Sequence, residues 1–164
     1  MTNDAARELS HVTSDGNLRM VDVGDKPISD RMATATGSIR MAPATLNLVR
    51  ANGLKKGDVL ATAKLAGIMG AKRTAELVPL CHGLALSAVD VRFKLDDSLP
   101  GVHVEATVRS TGQTGVEMEA LTAVTVALLT VYDMTKSVDR AMVITNVVLR
   151  EKRGGTKGDY LADP

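Results

Sequence analysis

The chain has 164 residues, a length that suits one domain when domains usually run to roughly 100–200 residues. Its formal net charge of +1 excludes bulk electrostatic attraction to nucleic acid, so any anion site must come from local clustering of cations. Aromatic residues make up 2% of the chain and tryptophan is absent, which leaves few faces on which single-stranded bases can stack.

The core must therefore be filled by Val, Leu, Ala, Ile and Met. These bury less area each than aromatics, and surface lent by partner subunits would help. Cys81 is the single cysteine, so an internal disulfide is excluded and a reducing compartment fits. Residues 1–10 mix Asp4, Arg7 and Glu8 with no apolar core, unlike a secretory signal. No apolar run is read as approaching the ~18 residues that span a bilayer. A cytoplasmic protein without membrane contact is expected.

In chain order, residues 1–10 form a loose terminus. Residues 19–23 alternate and predict a short strand, broken by Asp25, Lys26 and Pro27. Residues 31–41 alternate through Thr34, Thr36 and Ile39 and predict a second strand. Pro43 opens a helix that Gly53 can close. Asp58 is a plausible N-cap for a helix over 59–69, whose small residues Ala63, Ala66, Gly67 and Gly70 suggest close packing. Residues 86–95 and 102–110 alternate around Pro100-Gly101 and predict an antiparallel hairpin. Residues 116–138 are too long for a buried strand and predict a helix. That helix is apolar almost all round, so it must be covered on every side, and a second subunit is predicted to cover what one layer leaves open. Residues 142–149 form a last strand, and 158–164 a flexible end. The order β-β-α-α-β-β-α-β in a single catalytic domain, 1–164, predicts an α+β two-layer sandwich: a mainly antiparallel sheet with helices on one face, ferredoxin-like.

Several polar groups stand out. Asp133 and Lys136 are three residues apart and share a helix face. They read either as a surface ion pair or as an acid–base pair beside an apolar run. Lys72 and Arg73 can simply meet a helix C-terminus. Cys81-His82 lacks the other ligands of a zinc site, so no metal is assigned. Glu117 and Glu119 complement a helix start, yet a carboxylate there can also accept N–H groups of a guanine-like ring. Lys152, Arg153 and Lys157 flank Gly154-Gly155, a possible anion nest. Glu119 and Asp133 are fourteen residues apart, about 21 Å along a helix. One compact ligand cannot touch both in one chain, so a shared site requires opposite helix ends from two subunits.

The segments MVDVGDKP (20–27), GIMGAKRTAELVPLCH (67–82), GVEMEALTAVTVALLTVYDMTK (115–136) and KRGGTKG (152–158) together resemble the cyclic pyranopterin monophosphate synthases of molybdenum cofactor biosynthesis. The resemblance runs from about residue 9 to residue 158. It implies a lyase that takes a cyclic dihydroguanosine triphosphate to cyclic pyranopterin monophosphate and diphosphate. It also implies a hexamer, a trimer of dimers with sites between subunits. Carried onto this chain, it implies Asp133, Lys136 and Lys72 as catalytic residues. Leu80, Cys81, His82, Met118 and Glu119 match substrate-contact segments, and Glu117, Lys56, Arg31 and Lys152 match further charged pocket positions. No cofactor is implied with certainty, and magnesium accompanying the triphosphate stays open. The sequence departs from the family pattern at Gly83 (commonly Pro), Thr135 (commonly Cys) and the Thr156-Lys157 order, which puts a phosphate role for Lys157 in doubt. Two rivals stay open: a nucleotide-binding module without turnover, and a structural oligomer whose charges are only solvated. RNA binding is the weakest alternative.

Overall fold

In the computed structural model, residues 10–52 and 57–163 are described. Their elements are β1 (Ser29–Arg40), α1 (Pro43–Arg50), α2 (Val59–Lys72), α3 (Thr74–Leu77), β2 (Leu86–Asp96), β3 (Gly101–Gly112), α4 (Glu117–Thr135), β4 (Val143–Arg153) and β5 (Tyr160–Leu161). The sheet order is β2-β3-β1-β4-β5, with every neighbouring pair antiparallel. Leaving aside α1, α3 and β5, the connection β1-α2-β2-β3-α4-β4 is the ferredoxin-like split βαβ arrangement. The expected α+β two-layer sandwich is the observed one.

Strand alternation decides which face the helices cover. In β1, Ala33, Ala35, Gly37 and Ile39 are buried on one side. These residues are small because α4 lies on them: a Cβ at Gly37 would sit 2.8 Å from Leu128 Cδ1 and Val124 Cγ1. The same economy joins the helices. A Cβ at Gly67 would stand 2.9 Å from the Ala123 carbonyl, and one at Gly70 would stand 2.9 Å from Val126 Cγ2, so these glycines set the close approach of α2 to α4. The core between the layers is Val, Ala, Leu and Ile, with Phe93 only partly buried against it.

Asp58 caps α2 as expected, accepting from the Ala61 N–H at 2.9 Å. Helix α1 begins at Pro43 but takes its cap from afar: Asp139 accepts from the Ala42 N–H at 2.8 Å. This bond and those to Ala141 and Thr45 hold the Asp139 carboxyl below its ordinary pKa. Gly53, the expected end of α1, lies outside the described residues.

One expectation is corrected. Residues 19–23 are not a strand; Leu18 makes only an isolated bridge to Val12, and the segment is held by side chains from elsewhere. The stretch after Lys72 adds the short helix α3. Within the end expected to be flexible, Tyr160 and Leu161 pair with Lys152 and Glu151.

Helix α4 packs on β1, β3, β4 and α2. Contrary to the expectation that no segment approaches bilayer-spanning length, its 19 residues are long and apolar enough to cross a membrane, although half of the stretch is buried in the domain. What remains open on it is a strip through Met118, Thr125, Leu129 and Asp133. Leu65 and Met69 are likewise exposed on α2.

Candidate active site

The antiparallel register brings the start of β1, the end of β3 and the end of β4 to one edge of the sheet: Ser29 lies opposite Gly112, and Met32 opposite Arg153. Four residues separate the end of β3 from the start of α4, at the same edge. Arg31 on β1 is only 7% exposed, and its Nε donates to the Gly112 carbonyl at 3.2 Å. Lys152 on β4 stands 3.5 Å from Glu117 Oε1 at the start of α4.

Two loops close over this edge. Gln113 Nε2 donates to the carbonyls of Gly24 at 2.7 Å and Lys26 at 3.1 Å. His82 Nε2 donates to the Val21 carbonyl at 2.9 Å. A carbonyl accepts only, so that ring nitrogen carries the hydrogen, and in the neutral ring Nδ1 keeps its lone pair. These bonds, not a sheet ladder, give residues 19–26 their shape.

The result is a pair of adjoining cavities. The first, about 290 Å³, is lined by Lys26, Arg31, His82, Glu117, Lys152 and Lys157, among others. The second, about 280 Å³, is lined by Leu80, Cys81, His82, Met118 and Glu119, among others. His11, His82, Thr114, Gly115 and Glu117 are common to both. One half thus offers cations and the other offers apolar surface with an acid.

The chain therefore brings together Arg31, Leu80, Cys81, His82, Glu117, Met118, Glu119 and Lys152. Lys56 lies outside the described residues. The remaining three candidates stand apart. Lys72 is exposed at the last residue of α2 and lines neither cavity. Asp133 and Lys136 pair at 2.6 Å at the far end of α4, with side chains 58% and 52% exposed.

A family model described as the MoaC family matches residues 20–155. The chain belongs to the MoaC family. A cyclic pyranopterin monophosphate synthase of Parvibaculum lavamentivorans is 57% identical to it over 158 residues, which is 96% of this chain and 99% of the relative. The MoaC match takes in most of the lining of both cavities, including the loop of residues 20–26 and the glycine pair after β4, and leaves out Ser10, His11, Thr156 and Lys157.

In this MoaC chain, Glu119 is the buried acid of the site, 4% exposed. Burial raises its pKa, and the nearby charge of Glu117 raises it further. The Cys81 thiol is also pushed up, first by burial and then by Glu119, so it is a poor thiolate. Because folding raises the Glu119 pKa, the native state is favoured with Glu119 protonated. That contribution is present below the ordinary carboxylate range and is lost as pH rises through the raised value. Glu119→Gln should therefore melt increasingly above the parent as pH rises from about 4 to about 8, with the gap closing at the acid end. Melting curves of both proteins across that range check this; a gap independent of pH counts against a raised pKa.

Sequence reasoning missed Lys26 and His11 as lining residues. Lys26 sits inside the MVDVGDKP segment, so the signal was present but was read as a strand breaker.

Proposed function

We propose that this chain is a cyclic pyranopterin monophosphate synthase. It is a lyase that converts the cyclic dihydroguanosine triphosphate to cyclic pyranopterin monophosphate and diphosphate in molybdenum cofactor biosynthesis. The observation that carries this reading is the divided cavity at the start of α4. Lys26, Arg31 and Lys152 suit a phosphate chain, while Glu119 beside Leu80 and Met118 suits a flat ring with N–H donors. The relative's name points the same way.

Opening and reclosing the ring requires proton transfers, and expelling diphosphate requires cations around developing negative charge. Lys72 and Lys136 are assigned the proton transfers, and Asp133 orients Lys136. Since α4 separates Asp133 from Glu119 by about 21 Å, each site takes its cavity from one chain and its Asp133–Lys136 pair from another. The exposed apolar residues Leu129 on α4 and Leu65 and Met69 on α2 support such pairing, and the reading takes the assembly as a hexamer, a trimer of dimers. The reading assigns no resident cofactor; magnesium enters, if at all, with the triphosphate. The protein is placed in the cytoplasm, acting on a small molecule and on neither nucleic acid nor membrane.

Incubation with the cyclic triphosphate, followed by mass analysis, should yield cyclic pyranopterin monophosphate and one diphosphate per turnover. Tight binding with no product would favour a binding module instead.

A further inference from the structure

A third cavity, about 430 Å³, lies on the sheet face that α4 does not cover, and its lining includes Ser38, Arg92, Lys94, His103 and Arg150. The register builds it. Ser38 on β1 is opposite His103 on β3, which is opposite Lys94 on β2, so all three side chains share one face. Ser38 Oγ lies 2.8 Å from His103 Nδ1. His103 Nε2 lies 2.9 Å from Asp96 Oδ2. The other Asp96 oxygen accepts from the Ser98 N–H at 2.8 Å and the Ser98 hydroxyl at 2.6 Å.

These contacts fix the direction of the chain. Bonds from Ser98 and then His103 hold the Asp96 carboxyl well below its ordinary range, so it is ionised and accepts only. Nε2 must then carry the hydrogen, and in the neutral ring Nδ1 is a lone pair that accepts from the Ser38 hydroxyl. A hydroxyl donating to an imidazole that a carboxylate orients is an activated nucleophile, whichever ring nitrogen serves. Ser38 is 6% exposed, on the cavity wall. Around it stand Lys94, Arg150, held by its Nε on Thr36 Oγ1 at 3.0 Å, and Arg92, whose Nε and Nη2 each lie 2.7 Å from Asp90 Oδ2. Glu105 is the one carboxylate among the lining residues, so the wall favours an anion.

We propose that Ser38 is a nucleophile that accepts an acyl group from small anionic acyl donors of the acyl phosphate class. Ser38 Oγ forms a bond to the acyl carbon, and the bond from that carbon to the bridging phosphate oxygen breaks. Phosphate leaves with the electron pair, held by Arg92, Lys94 and Arg150. The hydroxyl proton passes to His103 Nδ1 and then to the departing phosphate, so the products are the serine ester and inorganic phosphate. The site is separate from the α4 cavities and does not rest on their assignment.

Treatment of the whole protein with acetyl phosphate, followed by peptide mass mapping, tests it. The expected result is acetylation at Ser38, slowed by inorganic phosphate. Its initial rate should fall about 10²-fold or more in His103→Gln and fall less in Asp96→Asn, which keeps the ring. Ser38→Ala should lose the modification and keep full diphosphate release. Melting curves confirm that each variant is folded, and if His103→Gln is not, the parent and Asp96→Asn decide. Acetylation confined to lysines in the parent, or equal Ser38 rates in the parent and the folded variants, would overturn the proposal.

Discussion

Replacing Lys136 by Gln should lower diphosphate release about 10²–10⁴-fold, the usual contribution of a general acid or base, while barely moving the melting temperature. The two expectations pull apart because of where the residue sits. Its pair with Asp133 is more than half exposed on both sides and spans one helical turn, an arrangement worth about 0.2–1 kcal/mol. Its position as the C-cap just beyond α4 adds at most a similar amount through the helix dipole. A loss of about 1 kcal/mol shifts melting by only ~2–4 °C in a chain of this size. A large fall in turnover with a small melting shift therefore identifies chemistry, not folding. Steady-state kinetics beside a melting curve provide the check, and unchanged turnover would remove Lys136 from the mechanism.

The second large effect is expected at Gly155, a residue that need not touch substrate. Gly154 and Gly155 both have positive φ, +87° and +95°, a region that costs a residue with a Cβ about 1–2 kcal/mol. More specifically, a Cβ at Gly155 would overlap Arg31 Nη1, and one at Gly154 would overlap the Asp30 carbonyl. The glycine pair is thus the floor under the Arg31 guanidinium. Gly155→Ala must push that head group aside. Losing one charge-assisted hydrogen bond of about 1.5–3 kcal/mol should raise KM about 10- to 100-fold, at ~1.4 kcal/mol per tenfold. Turnover at saturation should fall much less, because the proton-transfer groups are elsewhere. An unchanged KM would show that Arg31 does not hold the phosphates.

Much of the frame was legible because local pattern and tertiary role agree. The hairpin of β2 and β3 follows from period-two alternation around Pro100-Gly101, and α4 follows from the length of its apolar run. The strand expected at residues 19–23 failed because its alternation reflects a loop pinned by His82 and Gln113, bonds that no local pattern records. Strand β5 is two residues long, too short to show a period. The grouping of Arg31, His82, Glu117 and Lys152 depends on β1, β3 and β4 ending at one edge, a long-range fact of register. The motif segments named these residues without showing how they meet. The distance from Glu119 to Asp133, by contrast, was readable from helical rise alone, and the structure keeps the two at opposite ends of α4.

The claim that each site joins the α4 start of one chain to the α4 end of another has one direct test. Arg31→Ala spoils the cavity, and Lys136→Gln spoils the distant pair. Each alone should have little kcat/KM. Co-expressed with separate tags and purified through both, the two variants should regain activity, because one site of every mixed pair combines two intact halves; with random pairing, about a quarter of all sites are whole. Mixed assemblies that contain both chains and stay as inactive as either variant would contradict the account.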